Sequence, residues 1–133
     1  AAKKRFMDSL PALKSLRDRV EKAAAKGYLK GLDGRQIEVR SAHAALNTLL
    51  QGAGAVYMKQ VMVMYYAKAK EEGLDFNQVS VVHDEINVEV REDQAPRLAE
   101  IMEEAFEAAG EHFNLRCPTK GNAKIGLTWY DVH

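Results

Sequence analysis

Apolar residues recur at helical spacing along three stretches of this 133-residue chain. The pattern predicts helices over residues 9–26, 42–72 and 93–111, because apolar side chains three and four positions apart share one face of a helix. Pro11 is tolerated in the first turn of a helix. Gly27 and Gly73 follow the first two predicted helices, where glycine commonly ends a helix.

The remaining apolar residues alternate with polar ones, as they do in strands. Residues 28–40 predict a hairpin that turns at Asp33-Gly34. Residues 79–91 predict a second hairpin, and residues 124–128 a last strand. The order ββ, α, ββ, α, β indicates an α+β fold, in which an antiparallel sheet of hairpins packs with three helices on one face. The predicted core side chains are Leu46, Leu49, Leu50, Val56, Met62, Val81, Val88, Leu98, Ile101 and Phe106.

The second predicted hairpin reverses at His83-Asp84-Glu85, between the β-branched runs of SVVHDEINVEV. The adjacent carboxylates of Asp84 and Glu85 repel each other, and a divalent cation or nearby Lys and Arg side chains would relieve that repulsion. The spacing of the Cys and the other His residues does not match a zinc site. The hairpin tip is therefore a candidate cation site, and a solvated turn is the alternative.

Polar side chains recur every four residues in HAALNTLLQ, within the long predicted helix. His43, Asn47 and Gln51 should form one polar stripe, because each step of four residues rotates only about 40° around the helix. All three can donate hydrogen bonds, which suits the acceptors that every base pair presents in the minor groove of DNA. Capping loops or satisfying buried backbone groups is the alternative role. Gly52 and Gly54 follow, which indicates a close approach to this helix or a bend in it.

Five stretches together resemble the C-terminal palm segment of a family A (Pol I-like) DNA polymerase, and they are most similar to the phage replicative type. They are KGLDGRQIEVRS, HAALNTLLQGAGA, VVHDEINVEV, HFNLRC and the segment from Trp129 to His133. The resemblance implies template-directed transfer of a nucleotide from a dNTP to a primer 3'-hydroxyl. Two Mg²⁺ ions would stabilise the attacking and leaving oxygens.

The resemblance also implies roles for individual residues. Asp84 would bind the catalytic metal ions, with Glu85 in support and His83 beside the primer terminus. The implied DNA-binding side chains, which lie in or just before the long helix, are Arg40, His43, Asn47 and Gln51. At the position of His43 many relatives have Arg, whereas the phage type has His.

Two parts of such a polymerase are missing from the sequence. An earlier strand should supply a second metal-binding Asp, and a fingers helix with Arg, Lys and Tyr-Gly should hold the nucleotide; neither pattern occurs. We therefore expect residues 1–133 to form a single-domain piece of a longer polymerase, inactive alone, whose partners are primer-template DNA, dNTP and the remaining palm, fingers and thumb. A stand-alone DNA-binding or accessory module without catalysis is the alternative. An unrelated metal hydrolase would need a second ligand cluster.

Composition and charge narrow the class of protein further. The single cysteine, Cys117, excludes an internal disulfide, and no stretch reads as a signal core or a membrane span. These features fit a cytoplasmic protein, and the resemblance to the phage type implies a phage or prophage protein in a bacterial host. The net charge is zero, yet residues 1–40 carry eleven Lys and Arg against five Asp and Glu, whereas residues 71–111 carry two against thirteen. The basic segment either lies along DNA phosphates or pairs with the acidic helix.

Overall fold

The computed structural model describes residues 2–41 and 44–133. This part of the chain contains five helices and four strands. The helices are α1 (Ala2–Ser9), α2 (Pro11–Ala24), α3 (Ala45–Glu71), α4 (Ala95–His112) and α5 (Trp129–Val132). The strands are β1 (Tyr28–Lys30), β2 (Gln36–Glu38), β3 (Phe76–Val82) and β4 (Glu85–Val90), and a 3₁₀ turn, Glu92–Gln94, precedes α4. The predicted α+β class is confirmed.

The chain divides into two compact units, Ala1–Gly54 and Ala55–His133. The buried core of the first unit consists of Val20, Ala24, Leu29 and Ala45, against which Val39, Leu46 and Leu49 are partly buried. The prediction that residues 1–133 act as one domain stays a prediction.

The helix predicted over residues 9–26 is confirmed as α2, which begins at Pro11 and ends at Ala24, whereas α1 was not predicted. The two helices are separated at Leu10. This residue has φ −126° and ψ 73°, outside the helical region. The reason is steric, because the ring of Pro11 disfavours helical backbone at the residue before it. Pro11 is the first residue of α2, so its predicted place in the first turn of the helix is confirmed. Gly27 follows α2 with φ +85°, a left-handed conformation that glycine adopts without a steric penalty.

The first hairpin pairs β1 with β2 in antiparallel register, with Leu29 opposite Ile37. The Gly34 N–H donates to the Gly31 carbonyl at 3.0 Å, so Leu32 and Asp33 are the central residues of the tight turn. Gly34 follows them with φ +84°. The prediction of a hairpin is thus confirmed. The prediction of a two-residue turn at Asp33-Gly34 is wrong, because the turn is centred on Leu32 and Asp33 and the left-handed Gly34 lengthens the loop.

The long helix α3 has 27 residues. Its predicted start at Ala42, like His43 of the polar stripe, lies outside the described residues. Its predicted end is confirmed: after Glu71 the chain reaches Gly73 at φ +71°, and the Leu74 N–H donates to the Ala69 carbonyl at 3.0 Å. None of the described helices, α3 included, has the length and apolar character needed to cross a membrane.

The second hairpin pairs β3 with β4, and it starts earlier than predicted, at Phe76 opposite Val90. A bulge interrupts the register between Gln78 and Ser80. The two hairpins form separate two-stranded sheets within the described residues, so the single predicted sheet is wrong in this respect. Residues 124–128 form no strand, since the segment of Ile125 and Leu127 runs as irregular chain into α5.

The core of the second unit is formed by side chains of α3, β3 and α4. Its buried residues are Val61, Tyr65, Ala69, Phe76, Leu98, Ile101, Ala105 and Ala109. Leu98 and Ile101 were predicted from the sequence, and their burial is confirmed. The largest residue of this core, Tyr65, was not predicted to be buried, because a tyrosine hydroxyl needs a polar partner that the sequence alone does not reveal.

Two predicted core residues are exposed instead. Leu50 is 55 % exposed and Val81 is 38 % exposed. Val81 belongs to a two-stranded sheet, and a sheet of that size leaves much of its surface uncovered. The remaining candidates are partly buried: Leu46, Leu49, Val56, Met62, Val88 and Phe106.

Candidate functional site

The tip of the second hairpin is a two-residue turn, because Val82 pairs with Glu85 and only His83 and Asp84 lie between them. His83 has φ +54°, the left-handed region that non-glycine residues seldom occupy. Glu85 therefore belongs to β4, whereas the sequence placed all three polar residues in the turn. The turn presents Asp84 at the extreme end of the hairpin, where its side chain is exposed.

Glu85 is held by neighbours on one of its two carboxylate oxygens. Asn87 Nδ2 donates to Glu85 Oε1 at 2.9 Å and also lies 3.2 Å from Ser80 Oγ on β3. His133 Nδ1 lies 3.3 Å from the same Oε1 atom. Glu85 is thus partly buried and oriented, in contrast to Asp84 beside it.

The segment that brings His133 to the hairpin is the short helix α5. Thr128 donates twice to Asp131 Oδ2, through its backbone N–H and its hydroxyl, each at 2.7 Å. The hydroxyl bond holds the pKa of Asp131 below its usual range. Across the helix, the imidazole of His133 stacks on the indole of Trp129, with ring centroids 4.0 Å apart and planes inclined by 29°.

The hairpin supplies few metal ligands. No group of three or more His, Cys, Asp or Glu side chains with metal-binding geometry occurs in residues 2–41 and 44–133. Asp84 and Glu85 are carboxylates, which are the hard oxygen ligands that Mg²⁺ prefers. The described residues thus fit part of a Mg²⁺ site, and any further carboxylate would have to come from another segment.

A buried tyrosine fixes the base of the hairpin. The Tyr65 hydroxyl donates to Gln78 Oε1 at 2.5 Å, just before the bulge in β3. Gln78 Nε2 also lies 3.6 Å from the sulfur of Met62. Burial raises the pKa of Tyr65 to about 12, so the hydroxyl keeps its proton and donates the hydrogen bond over the whole physiological range. The strand that leads to the turn is therefore tied to α3.

An ion-pair network joins the end of α3 to α4. Arg97 makes a two-pronged contact with Glu72, in which Nε–Oε2 and Nη2–Oε1 are 2.8 and 2.7 Å apart. Its Nη1 atom lies 2.9 Å from Glu100 Oε2. The hydrogen bonds from Arg97 lower the pKa of Glu72 to about 2. The network therefore ties the first turns of α4 to the end of α3.

The other predicted DNA-binding residues lie in the first unit. Asn47 and Gln51 are both exposed and are one helical turn apart on α3. Arg40, which follows β2, is exposed as well. At Gly52 an added Cβ would lie 3.3 Å from Ile37 Cδ1, so the close approach predicted from the glycine comes from β2.

Two residues of the hairpin site were missed from the sequence. Asn87 follows Glu85 at the i+2 position of a strand, and side chains at that spacing share one face of a sheet, so its proximity could have been predicted. His133 gave no such signal, because its contact with Glu85 joins distant parts of the chain. Only the three-dimensional fold brings these two residues together.

Comparisons with known proteins agree with this architecture. The profile of DNA polymerase family A matches residues 2–131. The DNA-directed DNA polymerases of Enterobacteria phage T3 and Escherichia phage T7 are each 36% identical to the chain, over 98% of the chain and 22% of the relative. DNA polymerase I of Aquifex aeolicus is 32% identical, over 96% of the chain and 23% of the relative.

A solved structure is similar as well. The POL domain of Pol1 from M. smegmatis, in complex with DNA primer-template and dNTP, superposes with a TM-score of 0.74 at 25% sequence identity, covering 80% of this chain and 21% of that one. The chain spans about a fifth of the length of the curated relatives that it matches. With nearly all of its residues matched by one family profile, the chain belongs to DNA polymerase family A.

Proposed function

We propose that this chain is the palm segment of a DNA-directed DNA polymerase that carries the metal-binding hairpin of the active site. The observation that carries the proposal is the placement of Asp84: an exposed carboxylate at the end of a two-residue turn, in a chain of a polymerase family. The turn leaves this carboxylate free to face a ligand, while Glu85 next to it is oriented by Asn87 and His133. Similarity to phage polymerases supports a replicative role in the cytoplasm of a bacterial host.

Asp84 would hold Mg²⁺, with Glu85 beside it. Bound there, two Mg²⁺ ions would neutralise charge on the oxygens of the transferring phosphoryl group. The contribution of this chain is positional: the left-handed turn at His83 directs Asp84 outward, and the bulge in β3 together with the Tyr65–Gln78 hydrogen bond fixes the strand behind it. His83 would lie beside the primer terminus, whose 3'-hydroxyl would lose its proton, attack the α-phosphorus of the dNTP and displace pyrophosphate.

Asn47 and Gln51 would bind the minor groove of the primer-template duplex. Their exposure and their spacing of one helical turn support this role. Amide groups can donate hydrogen bonds to purine N3 and pyrimidine O2, which occupy similar places in all correct base pairs. The stripe would therefore test base-pair shape without reading sequence. Arg40 would add a phosphate contact, and His43 is proposed as a DNA contact on the basis of the resemblance alone.

The remaining palm, fingers and thumb of the polymerase would complete the site. The outer residues of β3 support this expectation, because Val79 is 67 % exposed and Val82 is 55 % exposed. An apolar strand with so much uncovered surface is typical of a sheet that packs against further protein. A neighbouring segment at this position would also be able to bring a second metal-binding carboxylate close to Asp84.

The test is primer extension by the whole polymerase with Asp84→Asn. We expect turnover to fall by on the order of 10²-fold or more, because a charge that opposes the metal ions is lost. Glu85→Gln should be milder, and Glu89→Gln, an exposed carboxylate on the same strand, is the matched control and should leave the rate unchanged. A wild-type rate for Asp84→Asn at saturating Mg²⁺ would contradict the proposal. DNA binding without any extension by the wild-type protein would favour a non-catalytic accessory module.

A further inference from the structure

The contact between His133 and Glu85 points to a role that the His-Asp-Glu motif does not include. We propose that His133 is a positioning residue that orients the Glu85 carboxylate, and that Trp129 holds the imidazole in place for this purpose. The inference rests on the proposed function, because the orientation of Glu85 affects catalysis only if the hairpin holds the catalytic metal ions.

The imidazole is constrained from two sides. Its Nδ1 atom lies 3.3 Å from Glu85 Oε1, and one face of the ring is stacked on Trp129 at a centroid distance of 4.0 Å. Stacking of two flat rings stabilises their relative orientation, and this stabilisation adds to that from the apolar area that they bury. A proton on Nδ1 would make this contact attractive, because an imidazole N–H is a donor and a carboxylate oxygen is an acceptor.

Both protein contacts of the Glu85 carboxylate fall on the same oxygen. Asn87 Nδ2 donates to Oε1 at 2.9 Å, and His133 approaches Oε1 from the segment after α5. In the described part of the chain, no hydrogen bond or ion pair reaches Oε2. Two contacts on one oxygen fix the plane of the carboxylate and leave the other oxygen available, which is how outer groups orient a ligand toward a metal or a metal-bound water.

The backbone before α5 packs closely against that short helix. An added Cβ at Gly126 would lie 2.5 Å from the Cβ of Asp131 and 3.0 Å from a methyl group of Val132, so the chain folds tightly against its own short helix. The two hydrogen bonds from Thr128 to Asp131 close the first turn of that helix. The geometry of α5 is therefore specified by contacts within residues 126–132, directly before His133.

The first experiment compares His133→Ala with Tyr130→Ala in the whole polymerase. Tyr130 belongs to the same helix and is 87 % exposed, so its loss controls for effects on α5 itself. We expect His133→Ala to lower kcat for nucleotide addition by about 10- to 100-fold, the range typical of groups that orient a metal ligand, with little change in KM for dNTP. The Mg²⁺ concentration for half-maximal rate should rise. His133→Gln, which keeps a donor, should recover part of kcat, whereas Tyr130→Ala should match the wild type.

The second experiment needs no activity. In the purified 133-residue chain, the carboxyl-carbon NMR signal of Glu85 should shift in His133→Ala and stay in place in Tyr130→Ala. The backbone signals of β3 and β4 should be the same in both variants. An unchanged chemical shift of the Glu85 carboxyl carbon in His133→Ala would overturn the inference, because the contact would then be absent in solution.

A double-mutant cycle separates a positioning role from an independent one. If His133 acts through Glu85, then His133→Ala should cost little in a Glu85→Gln background, and the two effects should be strongly non-additive. Full additivity, or a wild-type rate of His133→Ala at limiting and saturating Mg²⁺, would overturn the positioning role of His133. If Asp84→Asn is inactive in the same assays, the proposed function still stands. If Asp84→Asn keeps its rate, the proposed function fails and the positioning role fails with it.

Discussion

Two adjacent carboxylates at the hairpin tip have different surroundings. Asp84 occupies the turn and is exposed, whereas Glu85 lies in β4 and is held by Asn87 and His133. The difference follows from the left-handed conformation of His83, which completes the reversal in two residues and returns Glu85 to the strand. At the scale of single residues, the turn therefore leaves one carboxylate exposed and holds the other in a fixed orientation, a difference that fits the proposed roles of metal ligand and supporting group.

The polar stripe gives a prediction at the same scale. Gln51→Ala in the whole polymerase should slow extension of correctly paired primer ends by the equivalent of one hydrogen bond, about 0.5–1.5 kcal/mol. Mispaired ends displace the minor-groove acceptors already, so they should lose less, and discrimination between matched and mismatched primers should narrow. Single-nucleotide extension rates on matched and mismatched primers measure the change.

The control for this prediction is chemical. A 3-deazapurine at the primer end removes the acceptor from the DNA side, so its effect and that of Gln51→Ala should be non-additive if the two groups meet. If the two effects add fully, Gln51 does not contact the minor-groove acceptor, and its role is to stabilise the helix. The same assignment would follow if Gln51→Ala lowered the thermal midpoint without changing the extension of either primer.

At the scale of elements, the local sequence pattern predicted the helices and hairpins, whose formation depends on residues close together in the chain. The helical periodicity located α3 and α4, and alternation located both hairpins, since both signals arise within a few residues. Helix α1 was not predicted, and the predicted start of α2 at Ser9 is two residues early, because Pro11 disfavours helical backbone at Leu10. Residues 124–128 alternate like a strand but have no partner strand in the described structure, so the backbone stays irregular.

Replacing two glycines by alanine should change the stability of the chain in opposite directions, because their backbone conformations differ. Gly54 lies inside α3 with nothing within 4 Å of an added Cβ, so Gly54→Ala should stabilise the chain by about 0.5–1 kcal/mol through helix propensity. Gly73 has φ +71°, and Gly73→Ala should destabilise it by about 1 kcal/mol or more, because a Cβ is strained there. Urea denaturation of the two variants measures both values. The same sign for both would contradict the assigned backbone conformations.

The Arg97–Glu72 pair should make the stability of the chain depend on pH. Arg97 lowers the pKa of Glu72 to about 2 from an ordinary 4.5, so the folded state favours the ionised carboxylate. The resulting stabilisation is complete above pH 4.5 and is lost as the pH falls from there toward 2. The urea midpoint of Glu72→Gln should lie below that of the wild type at neutral pH, and the gap should narrow over this window.

A matched carboxylate serves as the control for the pH dependence. Glu71 lies next to Glu72 but is 71 % exposed in its side chain and lies 3.2 Å from Lys68. Exposed ion pairs of this kind contribute little to stability, so Glu71→Gln should change the neutral-pH midpoint much less than Glu72→Gln. Equal effects of the two variants would show that the two-pronged contact with Arg97 has no special weight.

At the scale of the whole molecule, charge is divided along the chain. The basic residues 1–40 and the acidic residues 71–111 differ strongly in sign, although the net charge is zero. The excess of acid around the hairpin would repel DNA phosphates unless metal ions neutralise it. We therefore expect the affinity of the whole polymerase for primer-template DNA to increase when Mg²⁺ is added.

The chain alone should not extend a primer. No cluster of three metal ligands is found among residues 2–41 and 44–133, and a two-metal site needs carboxylates beyond those of the hairpin. The measurement is incorporation of labelled dNTP by the purified 133-residue chain on a primed template, beside a buffer control and the whole polymerase. Templated incorporation above the buffer control would contradict this prediction.

The short turn of the second hairpin also bears on how the protein folds. Because β3 and β4 are joined by two residues, closing the hairpin costs little chain entropy, and such hairpins form in about 1–10 μs. A nascent chain could therefore complete the turn at Asp84 as soon as β4 leaves the ribosome. The contact from His133 must wait until the last residues of this segment are synthesised. Assembly of the carboxylate pair would then be sequential, with Asp84 presented first and Glu85 oriented last.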